Sequence, residues 1–266
     1  AAACLAGFTF AQDAPLWMRH SVISPDGTTI AFTYKGDIYT VPVAGGRAMQ
    51  ITTNPAYDTA PVWSPDSKRI AFASDRMGSL DVYIVAKDGG EPRRLTTHSG
   101  SETPLAFTDA GHVLFSAGIM PSAEAVVFPS NGQFNQVYRV SVEGGRPTMI
   151  SSMPMECISI NKEGAMLYQD KKGYEDYWRK HHVSPIARDI WMYTPGKEPQ
   201  YRQLTTFGGE DREPVWAPDG KTFYYLSEEN GSFNIYRRTP GDAKAVQLTH
   251  LSLIHISEPT RLRRIS

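Results

Sequence analysis

Three carboxylates recur at one spacing in this 266-residue chain: Asp58 stands five residues before Trp63, Glu102 five before Phe107, and Asp211 five before Trp216. Repeated around one opening, they would either draw in a cationic group such as a peptide amine or cap local backbone. Tyr57, Glu175, Tyr177, Trp178, Arg179 and Arg212 would surround them, a mixed aromatic and charged rim suited to peptides or unfolded protein segments. His181 and His182 are adjacent, which in a strand sends them to opposite faces and in a loop leaves their geometry open. A solvated loop is the better reading of that pair than a metal site. No GxSxG nucleophile elbow and no glycine-rich phosphate loop occurs, and two cysteines give no paired metal spacing. The expectation is a chain with no catalytic residues, no metal and no cofactor.

What positions the carboxylates is a repeat. "SPDGTTIAF" (24–32) is followed by "SPDSKRIAF" (64–72), "FTDAGHVLF" (107–115), "NKEGAMLYQ" (161–169) and "APDGKTFYY" (217–225). Between them stand "GDIYTVPVAGG", "LDVYIVAKDGG", "NQVYRVSVEGG", "RDIWMYTPGK" and "FNIYRRTPGD", each leading into "QITT", "RLTT", "MISS", "QLTT" or "QLTH". In the second copy, Pro65 presets a type I turn and Asp66 bonds the local backbone. Gly27 closes the first such hairpin in a left-handed conformation, which Ser67 adopts at some cost. "RIAFAS" then alternates with Ile70 and Phe72 on one face, "DVYIVAK" turns through Asp88, Gly89 and Gly90, and "EPRRLTT" closes the unit. Four antiparallel strands in about 40 residues, repeated, mark an all-β fold: a β-propeller of four-stranded blades.

Such a meander sorts its loops. The SPDG and GG turns share one rim; the second loops and the inter-blade connections share the other. Both long insertions, 118–133 and 171–188, fall in second loops, so they meet on the carboxylate rim, and enlarged loops on one face mark a binding face.

Composition agrees with strands and turns: five Trp, thirteen Tyr and eleven Phe accompany 22 Gly and 19 Pro. The 27 basic and 28 acidic residues nearly balance, against a nucleic-acid partner, and no apolar run is long enough for a membrane span. Residues 1–11, "AAACLAGFTFA", suit the end of a signal peptide, which implies a periplasmic or secreted location in a bacterium. With Cys4 removed, Cys157 has no internal disulfide partner.

The unit "SPDG…IAF…D(I/V)Y…GG…LTT" resembles the propeller repeat of TolB-type periplasmic proteins and of the tricorn-like serine peptidases. "APLWMRHSVISPDGTTIAFTYKGDIYTVPVAGG", "GYEDYWRKHHVSPIARDIW" and "LTTFGGEDREPVW" are more similar to the secreted tricorn-like peptidases. The resemblance covers residues 14–250 and implies a non-catalytic propeller that binds or gates peptides for a PDZ and peptidase region C-terminal to it. The alternative is a TolB-like binding propeller without an enzymatic partner. The resemblance also implies six or seven blades, whereas the repeats number five. In an incomplete ring the flanks of the first and fifth units should expose apolar face. "LSLIHISEPTR" (251–261) is similar to the translation of a transposon-end sequencing adapter, so residues 251–266 are expected to lie outside the fold.

Overall fold

The computed structural model describes residues 17–118, 135–173 and 183–252. The stretch 1–11, most of both insertions, and the tail from 253 onward lie outside those residues. Every described element is a strand, and twenty strands form five antiparallel meanders in chain order. Blade one holds β1 (Arg19–Ile23), β2 (Thr29–Tyr34), β3 (Asp37–Pro42) and β4 (Met49–Gln50). Blade two holds β5 (Asp58–Trp63), β6 (Arg69–Ser74), β7 (Asp81–Ala86) and β8 (Arg93–Arg94). Blade three holds β9 (Glu102–Asp109), β10 (His112–Ala117), β11 (Gln136–Ser141) and β12 (Thr148–Ser151). Blade four holds β13 (Met155–Ile160), β14 (Met166–Asp170), β15 (Ile190–Thr194) and β16 (Gln200–Gln203). Blade five holds β17 (Asp211–Trp216), β18 (Phe223–Ser227), β19 (Asn234–Arg238) and β20 (Val246–Gln247).

The first strands of consecutive blades meet: β1 with β5, β5 with β9, β9 with β13, and β13 with β17. They are therefore the innermost strands, and the short fourth strands lie outermost. None of the principal strand contacts among the described residues joins blade one to blade five.

Both faces of an interior blade are buried, which explains a pattern that simple alternation does not. In β6, Ile70, Ala71, Phe72 and Ala73 are all sealed from solvent. The large residues pack back onto Ala31 and Ile38 of blade one, and the small ones let blade three approach with Phe107, Val113 and Phe115. An aromatic pair crosses the second and third strands of every blade: Phe32–Tyr39, Phe72–Tyr83, Phe115–Tyr138, Tyr168–Trp191 and Tyr225–Tyr236. The Phe72 and Tyr83 rings stack at 5.9 Å and those of Phe115 and Tyr138 at 5.7 Å. Each such pair adds about 0.5–1.5 kcal/mol beyond its buried area.

The turns follow the sequence chemistry. Asp66 accepts from the Ser64 hydroxyl at 2.5 Å and the Lys68 N–H at 3.2 Å, and these bonds, the Ser64 one foremost, lower its pKa. Ser67 stands at φ +57°, matching Gly27 at +72°. The Ser67 hydroxyl accepts the Asp26 N–H of the neighbouring turn at 3.1 Å, a bond glycine could not make.

The "LTT"-type motif closes four of the five blades, all but blade three, by substitution of a side chain for a ladder bond. The Thr52, Thr96, Thr205 and Thr249 hydroxyls accept the N–H of Ile38, Val82, Ile190 and Ile235 at 2.9–3.0 Å. Thr96→Val keeps shape but strands the buried Val82 N–H. We expect a loss of about 1–3 kcal/mol, read as a lower urea midpoint, with Thr96→Ser near wild type. Equal stability of the Val and Ser variants would show that the hydroxyl is dispensable.

Candidate functional site: the insertion-bearing rim

Asp58, Glu102 and Asp211 head the inner strands β5, β9 and β17, on the rim where their spacing puts them. They are 0%, 0% and 1% exposed, turned into the joints between blades instead of toward solvent. The main chain explains the placement. Their N–H groups donate back to the previous blade, at Gly36 (2.7 Å), Leu80 (2.7 Å) and Arg188 (3.0 Å). Each acceptor directly precedes an Asp at the start of a third strand or, for Asp189, one residue before it, so a second carboxylate, Asp37, Asp81 or Asp189, is brought to each joint. The joint between blades three and four has Gln136 and Met155 at these positions.

Burial sets the chemistry of these pairs. The Glu102 carboxyl, whose two oxygens are buried without a hydrogen-bond partner, is pushed up to about 7, first by desolvation and then by the Asp81 charge. Asp211 is pushed up to about 7 by desolvation, with Asp189 adding repulsion and Ser227 and Thr205 opposing it. Asp37 is raised by burial, with the Asp58 charge adding to it. The partners differ between joints: Arg76 forks onto both oxygens of Asp58 at 3.0 Å, while Arg94 lies 2.8 Å from Asp81. Arg76 also lies over Tyr83, 4.5 Å from the ring centroid. The Arg76–Asp58 and Arg94–Asp81 pairs each lie within blade two, and the joints themselves are crossed by the main-chain bonds of Asp58, Glu102 and Asp211.

Of the remaining rim candidates, Tyr57 is exposed, its N–H held by Asp75 Oδ1 at 2.7 Å. Arg212 is buried, donating to Glu210 Oε2 at 2.8 Å, its guanidinium over Phe233. Glu175, Tyr177, Trp178, Arg179, His181 and His182 lie outside the described residues.

Across the joint of blades four and five the structure reveals an ionic network that sequence spacing did not single out. Arg188 reaches Glu156 at 3.4 Å and Glu210 at 3.3 Å. Lys171 lies 3.2 Å from Glu156, Gln169 donates to Glu156 at 3.1 Å, and the Glu210 N–H donates to Glu228 at 3.2 Å. Burial pushes the Glu156 carboxyl up, but the Gln169 bond and the Lys171 and Arg188 charges hold it below its ordinary pKa. The charge-dense run Glu210–Glu213 and the Arg188–Asp189 pair were the available signals.

Four inner strands carry a left-handed non-glycine residue at a register shift: His20, Ala60, Cys157 and Glu213, at φ 50–52°. Such bulges re-aim side chains at the cost of local strain. Cys157 is a free, exposed cysteine, and its thiol is pushed up to about 12 by desolvation among the surrounding inner-strand atoms and then by Glu213 and Glu156. Among the described residues no cluster of three or more His, Cys, Asp or Glu could hold a metal ion. A crevice of about 250 Å³ separates Ile51–Pro55 from Arg76 and the Gly90–Pro92 turn, below the usual size of a small-molecule pocket.

Four-stranded meanders joined face to face along their inner strands define a β-propeller. The profile described as "Tricorn protease N-terminal beta propeller domain" matches residues 15–263; the chain belongs to that family. The match runs into the stretch that resembles an adapter. The chain is 25% identical over 224 residues to "Tricorn protease homolog 1" of Streptomyces coelicolor, covering 84% of this chain and 20% of that protein. In fold it is similar to the tricorn protease crystal structure, with TM-score 0.70, 18% identity, and 90% of this chain and 23% of that one covered. It is also similar to a TolB from Agrobacterium tumefaciens, with TM-score 0.68, 15% identity, and 89% and 82% covered. This chain therefore spans about a fifth of the curated tricorn relative it matches.

Proposed function

We propose that this chain is the non-catalytic propeller portion of a tricorn-like serine peptidase, and that its insertion-bearing rim binds or gates peptides for a PDZ and peptidase region. The observation that carries the reading is the asymmetry of the rims. One is made of tight Asp- and Gly-closed turns. The other is where β10 and β14 end, at the starts of both insertions, and it carries the exposed Tyr57 ring and the ionic network of blades four and five. Family membership supports the parent activity, and the TolB-like fold neighbour together with the apolar N-terminal stretch supports a periplasmic or secreted location. No described helix is long and apolar enough to cross a membrane.

The test is peptide binding by the chain alone, followed by anisotropy of a labelled mixed-sequence peptide library. We expect weak saturable binding, reduced severalfold by Tyr57→Ala and by Trp178→Ala, and no hydrolysis sensitive to a serine-directed inhibitor. Such turnover would overturn the non-catalytic reading, and absence of binding would remove the peptide role. The TolB-like alternative is favoured by the coverage of 82% of the Agrobacterium chain. Contiguous genomic sequence past position 250 separates the two: an in-frame PDZ and peptidase region, or a stop codon.

A further inference from the structure

The carboxylate pairs at three of the joints are satisfied to different degrees. Between blades one and two all four oxygens hold a donor: Thr52 and Gln50 donate to Asp37 at 3.3 and 2.9 Å, and Arg76 donates to both oxygens of Asp58. Between blades two and three none does. Asp81 and Glu102 are fully buried and their four oxygens accept no hydrogen bond, although the Arg94 guanidinium lies 2.8 Å from Asp81. The joint of blades four and five is intermediate. Lys172 and Gln203 donate to Asp189 Oδ2, while Oδ1 of Asp189 and Oδ1 of Asp211 are both buried without a donor.

An ionised carboxylate can only accept, so two of them in one buried joint set acceptor against acceptor and charge against like charge. A single proton supplies the missing donor and removes one charge. Arg94 marks Asp81 as the ionised member of its pair and Lys172 does so for Asp189, which leaves the proton to Glu102 and to Asp211. The upward displacement of both groups agrees. Strand register shows what stands in for the proton elsewhere. Asp58 and Asp211 pair with Ser74 and Ser227, and two residues further on stand Arg76 in blade two and the exposed Glu229 in blade five. The place that covers Asp58 with a cation therefore holds an acid beside Asp211.

We propose that one proton, held between two buried carboxyls, closes the joint of blades two and three and another the joint of blades four and five, in the role that Arg76 fills for Asp58, and that losing these protons loosens the insertion-bearing rim. The Glu102 and Asp211 hydroxyls donate to Asp81 and Asp189; once they ionise, each joint carries two like charges at the head of an inner strand. The joint of blades one and two is unaffected. Around the first pair the charged and titratable groups are Arg94, His98 and Tyr83. Around the second they are Asp170, Lys172, Glu229, Tyr225 and Tyr236. The inference is independent of the peptide-binding reading.

The experiment is urea denaturation of the 266-residue chain at closely spaced pH values from 5.5 to 8.5, because the slope of stability against pH counts the protons bound on folding. Relative to wild type near pH 6, Glu102→Gln should lower that count by about one. Glu229→Arg places a guanidinium beside Asp211 and should also lower it by about one, whereas Glu229→Gln, which removes repulsion without adding a donor, should lower it much less. Arg76→Gln uncovers Asp58 and should raise the count by about one. Because the readout is a slope, packing lost from Arg76 on Tyr83 does not enter it, and Glu229→Arg, at an exposed position, carries the test if Arg76→Gln does not fold. The proposal is overturned if Glu102→Gln, Glu229→Arg or a folded Arg76→Gln keeps the wild-type count. It is equally overturned if Glu229→Gln lowers the count as far as Glu229→Arg.

Discussion

Replacing Arg188 with alanine is expected to cost about 3–5 kcal/mol of stability, the range for removing one member of a buried charge network. The guanidinium is buried and bridges Glu156 and Glu210 across the joint of blades four and five. Its loss leaves Glu210 with Arg212 and Glu156 with Lys171, but takes away the one cation among the described residues that is common to both carboxylates. Main-chain placement alone does not compensate, although the Arg188 carbonyl still accepts the Asp211 N–H. In Arg188→Met/Glu210→Gln, charge and countercharge go together, and most of the loss should return. Urea denaturation of the single and double variants measures the difference. A single variant within about 1 kcal/mol of wild type would mean the network carries little net energy, as exposed ion pairs do.

The second large effect is a pH dependence. Glu102 and Asp211 titrate near 7 in the folded chain and near the ordinary carboxylate value when unfolded. Raised folded values mean that the folded state binds more protons across that interval. Their contribution is therefore complete below about pH 4 and is lost as pH rises through 7. By pH 8.5, ionising either buried group costs the fold on the order of 3 kcal/mol. The groups facing Glu102 are Asp81, Arg94, Thr96 and His98, the last with its Nδ1 3.7 Å from Glu102 Oε1. Wild type should melt several degrees lower at pH 8.5 than at pH 5.5. Glu102→Gln, which keeps the shape of the side chain without the charge, should be the more stable protein at pH 8.5 and show a shallower slope. A variant that melts below wild type at pH 8.5 would show that the carboxylate is tolerated in its joint.

The repeat was legible because its chemistry is local. A Ser or Asp bonding its own turn, a Gly at positive φ and a Thr two residues beyond a strand act within about fifteen residues. Four of the five third strands announce themselves by an apolar residue before a Tyr. The carboxylate rim was legible in position and not in role. Whether Asp58, Glu102 and Asp211 face solvent depends on Gly36, Leu80 and Arg188, which belong to the preceding blade. The Arg188–Glu156–Glu210 network spans 54 residues of sequence for the same reason. Bulges at His20, Ala60, Cys157 and Glu213 leave no compositional trace, because none is glycine.

Because the principal contacts run only between successive blades, the chain behaves as a linear array of coupled units. Stability in such an array is a sum of unit and nearest-neighbour terms. Among the described residues, blades two, three and four are each held by two joints and blades one and five by one, so within this array opening is expected to start at blades one and five. The barrier to complete unfolding then resides in the central blades, and a joint weakened between blades three and four divides the array into two cooperative blocks. That joint is the one in which Met155 and Gln136 replace the acid pair, so the boundary between the blocks would be least sensitive to pH.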